Sequence, residues 1–347
     1  MGRIDTRSPI FRGGAVLVAT LLLQLAFLGS YVGALHEPKP HSVPVAVVGP
    51  AAVADRLNGL PGSPLRATAV ASREAGERRV AQRDAYAVLV PGDASATAAQ
   101  DRRSQLYVAT AANRTMATVL PTVFDRLAAE QGQPTVRVHE LAALPPEDSN
   151  GLAGFYAVVS WMVGGYFGAT LLGMVGRARS RNRRFAAYRL GGMAGLGLAS
   201  GLLSAVLLQH VIGVFGDASF LSLTLIGALV VFAVGAATIA FQSLLGIAGT
   251  GIAVLLFVVL GNPSSGGPFS PELLPGFWSG IGTVLPPGAG TTLVRNVVYF
   301  DGHAVGGPIL VLLLWALVGV VVTVIRGGRA ISAEQAEQEA AAGVAAI

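Results

Sequence analysis

The 41 residues from 220 to 260 contain no charged side chain. One helix of that length would be roughly 60 Å long, about twice the hydrocarbon thickness of a bilayer. The run is therefore read as two spans. The turn is placed at Leu245-Gly246-Ile247-Ala248-Gly249-Thr250-Gly251, because glycine is the weakest helix former in the run. Four more apolar stretches, 15–35, 151–176, 190–216 and 305–325, each supply the ~20 residues that a crossing requires. The expected fold is an α-helical polytopic membrane protein with six transmembrane helices. In the first stretch Val32 and Ala34 would suit signal-peptide cleavage, but its apolar length exceeds the roughly 7–15 residues usual there, so it reads as an uncleaved anchor.

Charge is scarce and unevenly placed. Only 12% of the 347 residues are charged, about half the share of an ordinary soluble domain. Residues 36–150 carry 12 basic and 12 acidic side chains, and the rest of the chain only 12 and 7. One water-facing segment is thus set between membrane spans. Arg177, Arg179, Arg181, Arg183, Arg184 and Arg189 lie between the second and third spans with no acid among them. At mid-bilayer six arginines would cost roughly 15–21 kcal/mol on insertion scales, so this stretch is read as a cytoplasmic loop. Parity then puts the N-terminus (1–14) and the tail (326–347) in the cytoplasm and 36–150 outside. All but one of the basic residues are arginine, and Ala and Gly are abundant, which points to a GC-rich bacterial source and hence to the inner membrane. The basic excess sits in that one cluster rather than on a long face, which argues against nucleic acid as a partner. With no cysteine, disulfides, thiolate metal sites and cysteine nucleophiles are excluded.

Within 36–150 the segments 43–48, 85–90, 105–109 and 135–138 read as strands, and 72–84 and 114–130 as helices, the latter restarted or kinked at Pro121. The expectation is an α+β domain. The loop 261–304, before the last span, is too rich in polar residues and proline to cross. It reads as a re-entrant-type element of two short helices broken at Pro286-Pro287, with Trp278, Tyr299 and Phe300 at the interface. Irregular backbone survives at membrane depth only when shielded by protein or water, so this loop is expected to cap a pathway.

Catalytic signatures are missing. There is no G-x-x-x-x-G-K-[ST], and the one lysine, Lys39, lies outside the spans, so the chain is not read as an ATPase, or as an enzyme of any kind. No cofactor or metal site is expected. None of the six spans contains Asp or Glu, which an ion-driven transporter would normally need. Ser200-Gly201 matches only a fragment of an intramembrane serine protease motif. His210 reads as a proton relay or substrate contact, or as an interfacial histidine. Gln242, like Gln24, can line a pathway or bond between helices. Glu272, Arg295 and Asp301 can gate the exit or be ordinary paired charges. Small residues four apart, Gly164 and Gly168, Gly191 and Gly195, and Gly197, Gly201 and Ala205, permit close helix approach within the chain or across a dimer. The arginine loop serves topology, and in addition can bind anionic lipid or dock a partner.

The order is one span, a large outer domain, five spans, and a Pro/Trp-containing outer loop before the last. Together with Val43-Pro44-Val45-Ala46-Val47-Val48, Tyr86-Ala87-Val88-Leu89-Val90-Pro91, Phe277-Trp278, Leu285-Pro286-Pro287-Gly288, Arg295 and Tyr299-Phe300-Asp301-Gly302, it resembles the type 2 ABC export permease superfamily. Within that superfamily it resembles the subgroup with an enlarged first outer domain, which includes the phage infection protein-like family. The resemblance implies a pair of six-span units, here a homodimer or a paired permease, and a separate ABC ATPase that docks on cytoplasmic loops. The substrate would be unidentified and amphiphilic. It also places Arg177, Arg179, Arg181, Arg183 and Arg184 at the ATPase-facing loop, and Trp278, Pro286 and Pro287 at the outer gate. The competing expectation is a non-transporting membrane protein whose external domain binds a surface ligand, envelope component or phage. Six spans with glycine-rich seams exceed what an anchor requires.

Overall fold

The structure, a computed structural model, describes residues 9–92, 103–176, 183–216 and 218–345. Its first helix, α1 (Pro9–Leu35), leads into a sheet unit, and a helical bundle follows. The sheet has the order β2-β1-β3-β4-β5, with β1 Val43–Val48, β2 Leu65–Val70, β3 Ala87–Val90, β4 Gln105–Val108 and β5 Arg137–Glu140. Three of its four pairings are parallel and only β3–β4 is antiparallel. Parallel neighbours require crossovers, and α2 (Ala51–Asn58), α3 (Arg73–Ala81) and α4 (Arg114–Glu130) supply them.

Helices cover both faces, a layered α/β arrangement rather than the α+β unit expected from sequence. On one face Val43, Val45, Val47, Leu106 and Val108 pack with Met116, Leu120 and Phe124 of α4. On the other, Ala46, Val88 and Tyr107 pack with Val80 of α3. Two elements, α2 and β2, are additional to the expected set. β2 has the period-2 burial of a strand, but two of its inward side chains are alanines, which carry little strand signal. α4 runs unbroken through Pro121, anchored by its buried Met116–Leu120–Phe124 face. Asn113 caps α4, accepting the Met116 N–H at 3.0 Å, and its amide reaches the Gly267 carbonyl at 3.4 Å. Asn113→Ala is expected to destabilise this unit by about 1–2 kcal/mol, read as a lower thermal midpoint of the full chain in detergent.

Five described helices are long and apolar enough to cross a membrane: Gly13–Leu35, Ala153–Val175, Arg183–Ile212, Phe220–Leu245 and Gly306–Gly327. They belong to α1, α5 (Ala153–Gly176), α6 (Arg183–Val206), α7 (Phe220–Leu245) and α11 (Gly306–Ala345). The expected sixth differs. The 220–260 run divides unequally, because Gly246 takes φ 67° and ψ −145°, a conformation for glycine, directly after α7. What remains is α8 (Ala248–Val254), continued by a π-helical turn over Leu255–Leu260. Together these make 13 residues, roughly 20 Å, too short to cross alone. α6 also starts earlier than expected, at Arg183 rather than near residue 190.

α7 is the centre of the bundle. It is apolar on every side and buries residues around its whole circumference, among them Leu223, Ile226, Val230, Val234 and Ile239, as a helix surrounded by other helices should. α5, α6 and α11 pack around it. α1 stands apart. It touches the Leu255–Leu260 turn, where the Ser30 hydroxyl donates to the Val259 carbonyl.

Candidate functional site

Between α8 and α11 the chain makes a hairpin of two short helices, α9 (Gly276–Gly282) and α10 (Pro286–Tyr299). Pro286 and Pro287 begin α10 rather than merely ending its predecessor. Proline suits the first turn, where its missing N–H would have had no helical partner. The Val284 carbonyl at the tip accepts the Trp315 indole N–H at 2.8 Å. Trp315 lies nine residues into α11, about 14 Å along the helix, so the hairpin dips beside the bundle rather than lying across its end. The backbone turns tightly: Gly261, Gly282 and Gly288 leave no room for a Cβ against Pro287, Ser264 and Gly282 respectively.

The other end of the hairpin is built into the sheet unit. Leu273 is buried in the core on one face of the sheet and Phe300 in the core on the other. Phe300 therefore does not lie at the interface, contrary to the expectation for an aromatic at a span end. Backbone N–H groups of Lys39 and His41 donate to the carbonyls of Leu273 and Glu272 at 3.1 and 2.8 Å. The Tyr86 hydroxyl donates to Glu272 Oε2 at 2.9 Å. Burial, and next the Glu272 charge, push that phenol above its ordinary range, so it keeps its proton and stays a donor. Arg83 Nε donates to Asn296 Oδ1 at 3.1 Å, and its guanidinium lies 4.5 Å from the Phe300 ring centre. Burial lowers the pKa of Arg83. Tyr299 donates its hydroxyl to Asp148 Oδ2 at 2.8 Å. Beneath these contacts, buried Arg295 donates to the carbonyl of Gly266 at 2.9 Å and to that of Gly267 at 3.4 Å. Neither the sheet unit nor the hairpin can move far without the other.

A second polar cluster lies at the opposite end of the bundle. Arg189 of α6, fully buried, donates to the Ala169 carbonyl of α5 at 3.1 Å and to Gln242 Oε1 of α7. Gln242 Nε2 donates to Thr250 Oγ1 of α8 at 2.9 Å and reaches Thr170 Oγ1 of α5 at 3.4 Å. One connected network thus ties four helices together. From sequence alone its arginine reads as one more loop residue. The overlooked signal is spacing: Arg189, Met193, Gly197, Gly201 and Ala205, four apart, all lie on the buried stripe of α6.

The residues singled out from sequence separate into groups. Arg177, Arg179 and Arg181 lie outside the described residues, and Arg183 and Arg184 are exposed in the first turn of α6. Trp278, Pro286, Pro287 and Arg295 share the hairpin, with the Trp278 ring beside α1 at Gly33. Gln242 and His210 do not meet. Gln242 joins Arg189, whereas His210 lies 21 residues farther along from Arg189, roughly 30 Å, exposed and edge-on to Phe220 at 6.0 Å. Gly168, Gly197 and Gly201 sit at close helix contacts, but Gly164 faces open space. Its neighbour Gly165 makes the approach instead, where a Cβ would lie 2.9 Å from the Val231 carbonyl. Among the described residues no group of three or more His, Cys, Asp or Glu could hold a metal ion.

The family model for ABC-2 family transporter protein matches residues 15–325, which is 311 of 347 residues. No curated protein and no solved structure matches the chain. The family match takes in the spans, the sheet unit and the hairpin alike, and the chain therefore belongs to the ABC-2 family of transporter proteins, a family of membrane-embedded permease components.

Proposed function

We propose that the chain is the permease subunit of a type 2 ABC exporter in a bacterial inner membrane. It moves an amphiphilic substrate outward, powered by a separate ATPase. The single observation that carries this reading is the hairpin. It dips beside the bundle to the level of Trp315 and is fixed at its other end into both cores of the sheet unit, which supports reading it as an outer gate. Trp278 lies on its first arm, α9, and Pro286-Pro287 at the start of its second, α10. In this reading the short 248–260 helix and the hairpin together complete a sixth crossing, so both termini are cytoplasmic and the sheet unit is extracytoplasmic. Two copies pair to enclose the pathway, and α1, largely bare in one chain, faces lipid or the second copy.

The arginines at the α5–α6 junction supply the ATPase-docking face. Arg183 and Arg184 are exposed in the turn that leads to Arg189, whose network joins α5, α6, α7 and α8. Force applied at the junction therefore reaches four helices at once. Mild solubilisation from the native membrane is expected to recover an ATPase at near-equal stoichiometry by mass spectrometry. The triple replacement Arg181→Gln, Arg183→Gln and Arg184→Gln is expected to abolish that recovery while membrane insertion persists. Reproducible absence of an ATPase around an intact wild-type dimer would favour a ligand-binding role for the sheet unit instead.

A further inference from the structure

A groove of about 500 Å³ opens between α5 and the end of α6, within the ~300–1,000 Å³ typical of small-molecule sites. It follows the face of α5 from Ala153 to Ser160, seven residues and so roughly 10 Å. Its far wall is the end of α6, where Leu207–Ile212 forms a π-helical turn. Such wide turns are uncommon and concentrate at functional sites. The upper rim carries Glu147 and Asp148, the wall below is largely apolar, and among the described residues no Lys or Arg lines the groove, although Arg114 donates to the Ser149 carbonyl at its edge.

The two acids differ. Asp148 is buried and fully engaged: Oδ1 accepts the N–H groups of Leu152 and Ala153 at 3.0 and 3.1 Å, and Oδ2 the Tyr299 hydroxyl. Glu147 is exposed and has no ion pair among the described residues. Tyr156, 61% exposed, lines the same groove and supplies an aromatic ring, a group that attracts cations. A negative rim above an apolar shaft is complementary to a positively charged head on an apolar body. It would repel the carboxylate or phosphate of an anionic amphiphile.

We infer that this groove is a binding site for amphiphilic monocations, entered from the outer leaflet between α5 and α6. As a substrate site it rests on the exporter reading above; as a binding site it stands by itself. The test uses the full chain in nanodiscs of zwitterionic lipid, with radiolabelled tetraphenylphosphonium as probe and tetraphenylborate, nearly the same shape with opposite charge, as competitor. Saturable binding of one phosphonium per chain is expected, with no competition by the borate. Glu147→Gln should weaken binding about five-fold, and Ser160→Trp, which fills the exposed side of the groove, should abolish it. Non-saturable binding, equal competition by the borate, or wild-type affinity in both variants would overturn the inference. ATPase recovery is a separate readout. Phosphonium binding without an ATPase sinks the exporter reading and leaves the site standing, and an ATPase without phosphonium binding does the reverse.

Discussion

Gly201→Leu is expected to destabilise the bundle by about 3 kcal/mol or more, whereas Gly164→Leu should change its stability by no more than about 0.5 kcal/mol. Both glycines have the small-residue spacing of helix seams, yet they face different surroundings. A Cβ on Gly201 would lie 2.9 Å from the Ala228 N and closer still to the Thr224 carbonyl, and one on Gly197 would lie 2.8 Å from the Ala228 carbonyl. The approach is reciprocal, since a Cβ on Gly227 would lie 2.8 Å from the Gly201 Cα. These obstacles are backbone atoms of α6 and α7, which cannot turn aside as a side chain can, so leucine must push the two helices apart. The separation would forfeit packing along the whole pair, including the Trp161 indole bonded to Ser204 at 2.9 Å beside it. That puts the cost at or above the upper end of ordinary overpacking. A Cβ on Gly164 would meet nothing within 4 Å beyond its own helix among the described residues. Thermal unfolding and size-exclusion profiles in detergent separate the two variants. Wild-type stability of Gly201→Leu would contradict the close α6–α7 approach, and equal damage from Gly164→Leu would show that its face packs against a second copy.

That contrast shows what the sequence could convey. A four-residue spacing of glycines reports that a helix has a thin face but not what lies opposite it, so Gly164 and Gly201 look alike until α7 is in place. The glycines at 246, 249 and 251 were more informative, because a turn is a local matter: Gly246 needs a left-handed φ, and a Cβ at Gly249 would collide with the Phe241 and Gln242 backbone. β1 and β3 are rich in valine and were legible for the same local reason, whereas β2 presents alanines and threonine and was not. Contacts distant in sequence left no local trace. Leu273 and Phe300 look like ordinary apolar residues of a membrane loop, and only the fold reveals that they complete the two cores of a sheet unit more than 130 residues earlier. Charge, the strongest feature of that stretch, groups Arg189 with its neighbours, although its four-residue spacing to Met193 and Gly197 puts it on the buried face of α6.

Replacing Arg295 by lysine should be more damaging than replacing it by methionine, although lysine is the smaller change in charge. Arg295 is buried, bonds the carbonyls of Gly266 and Gly267, and has no salt bridge among the described residues. Methionine removes both donors, leaving the buried Gly266 carbonyl short of a partner at about 1–3 kcal/mol, while the Gly267 carbonyl keeps the Asn113 amide. It also removes a buried cation whose desolvation costs several kcal/mol, so the two effects largely offset. Lysine keeps the charge and its desolvation cost. It replaces a planar fork that reaches two carbonyls with a more strongly hydrated point charge on a different stem, so the loss has nothing to offset it, and about 2–4 kcal/mol of destabilisation follows. The effect should spread, because the Gly267 carbonyl also receives the Asn113 amide at the head of α4, which ties the hairpin to the sheet unit. Limited proteolysis of the full chain should then show the 261–275 segment and the sheet unit loosening together in Arg295→Lys, with a lower thermal midpoint than Arg295→Met. The reverse order of midpoints would mean that charge, rather than the pair of directed hydrogen bonds, holds the hairpin against the sheet unit.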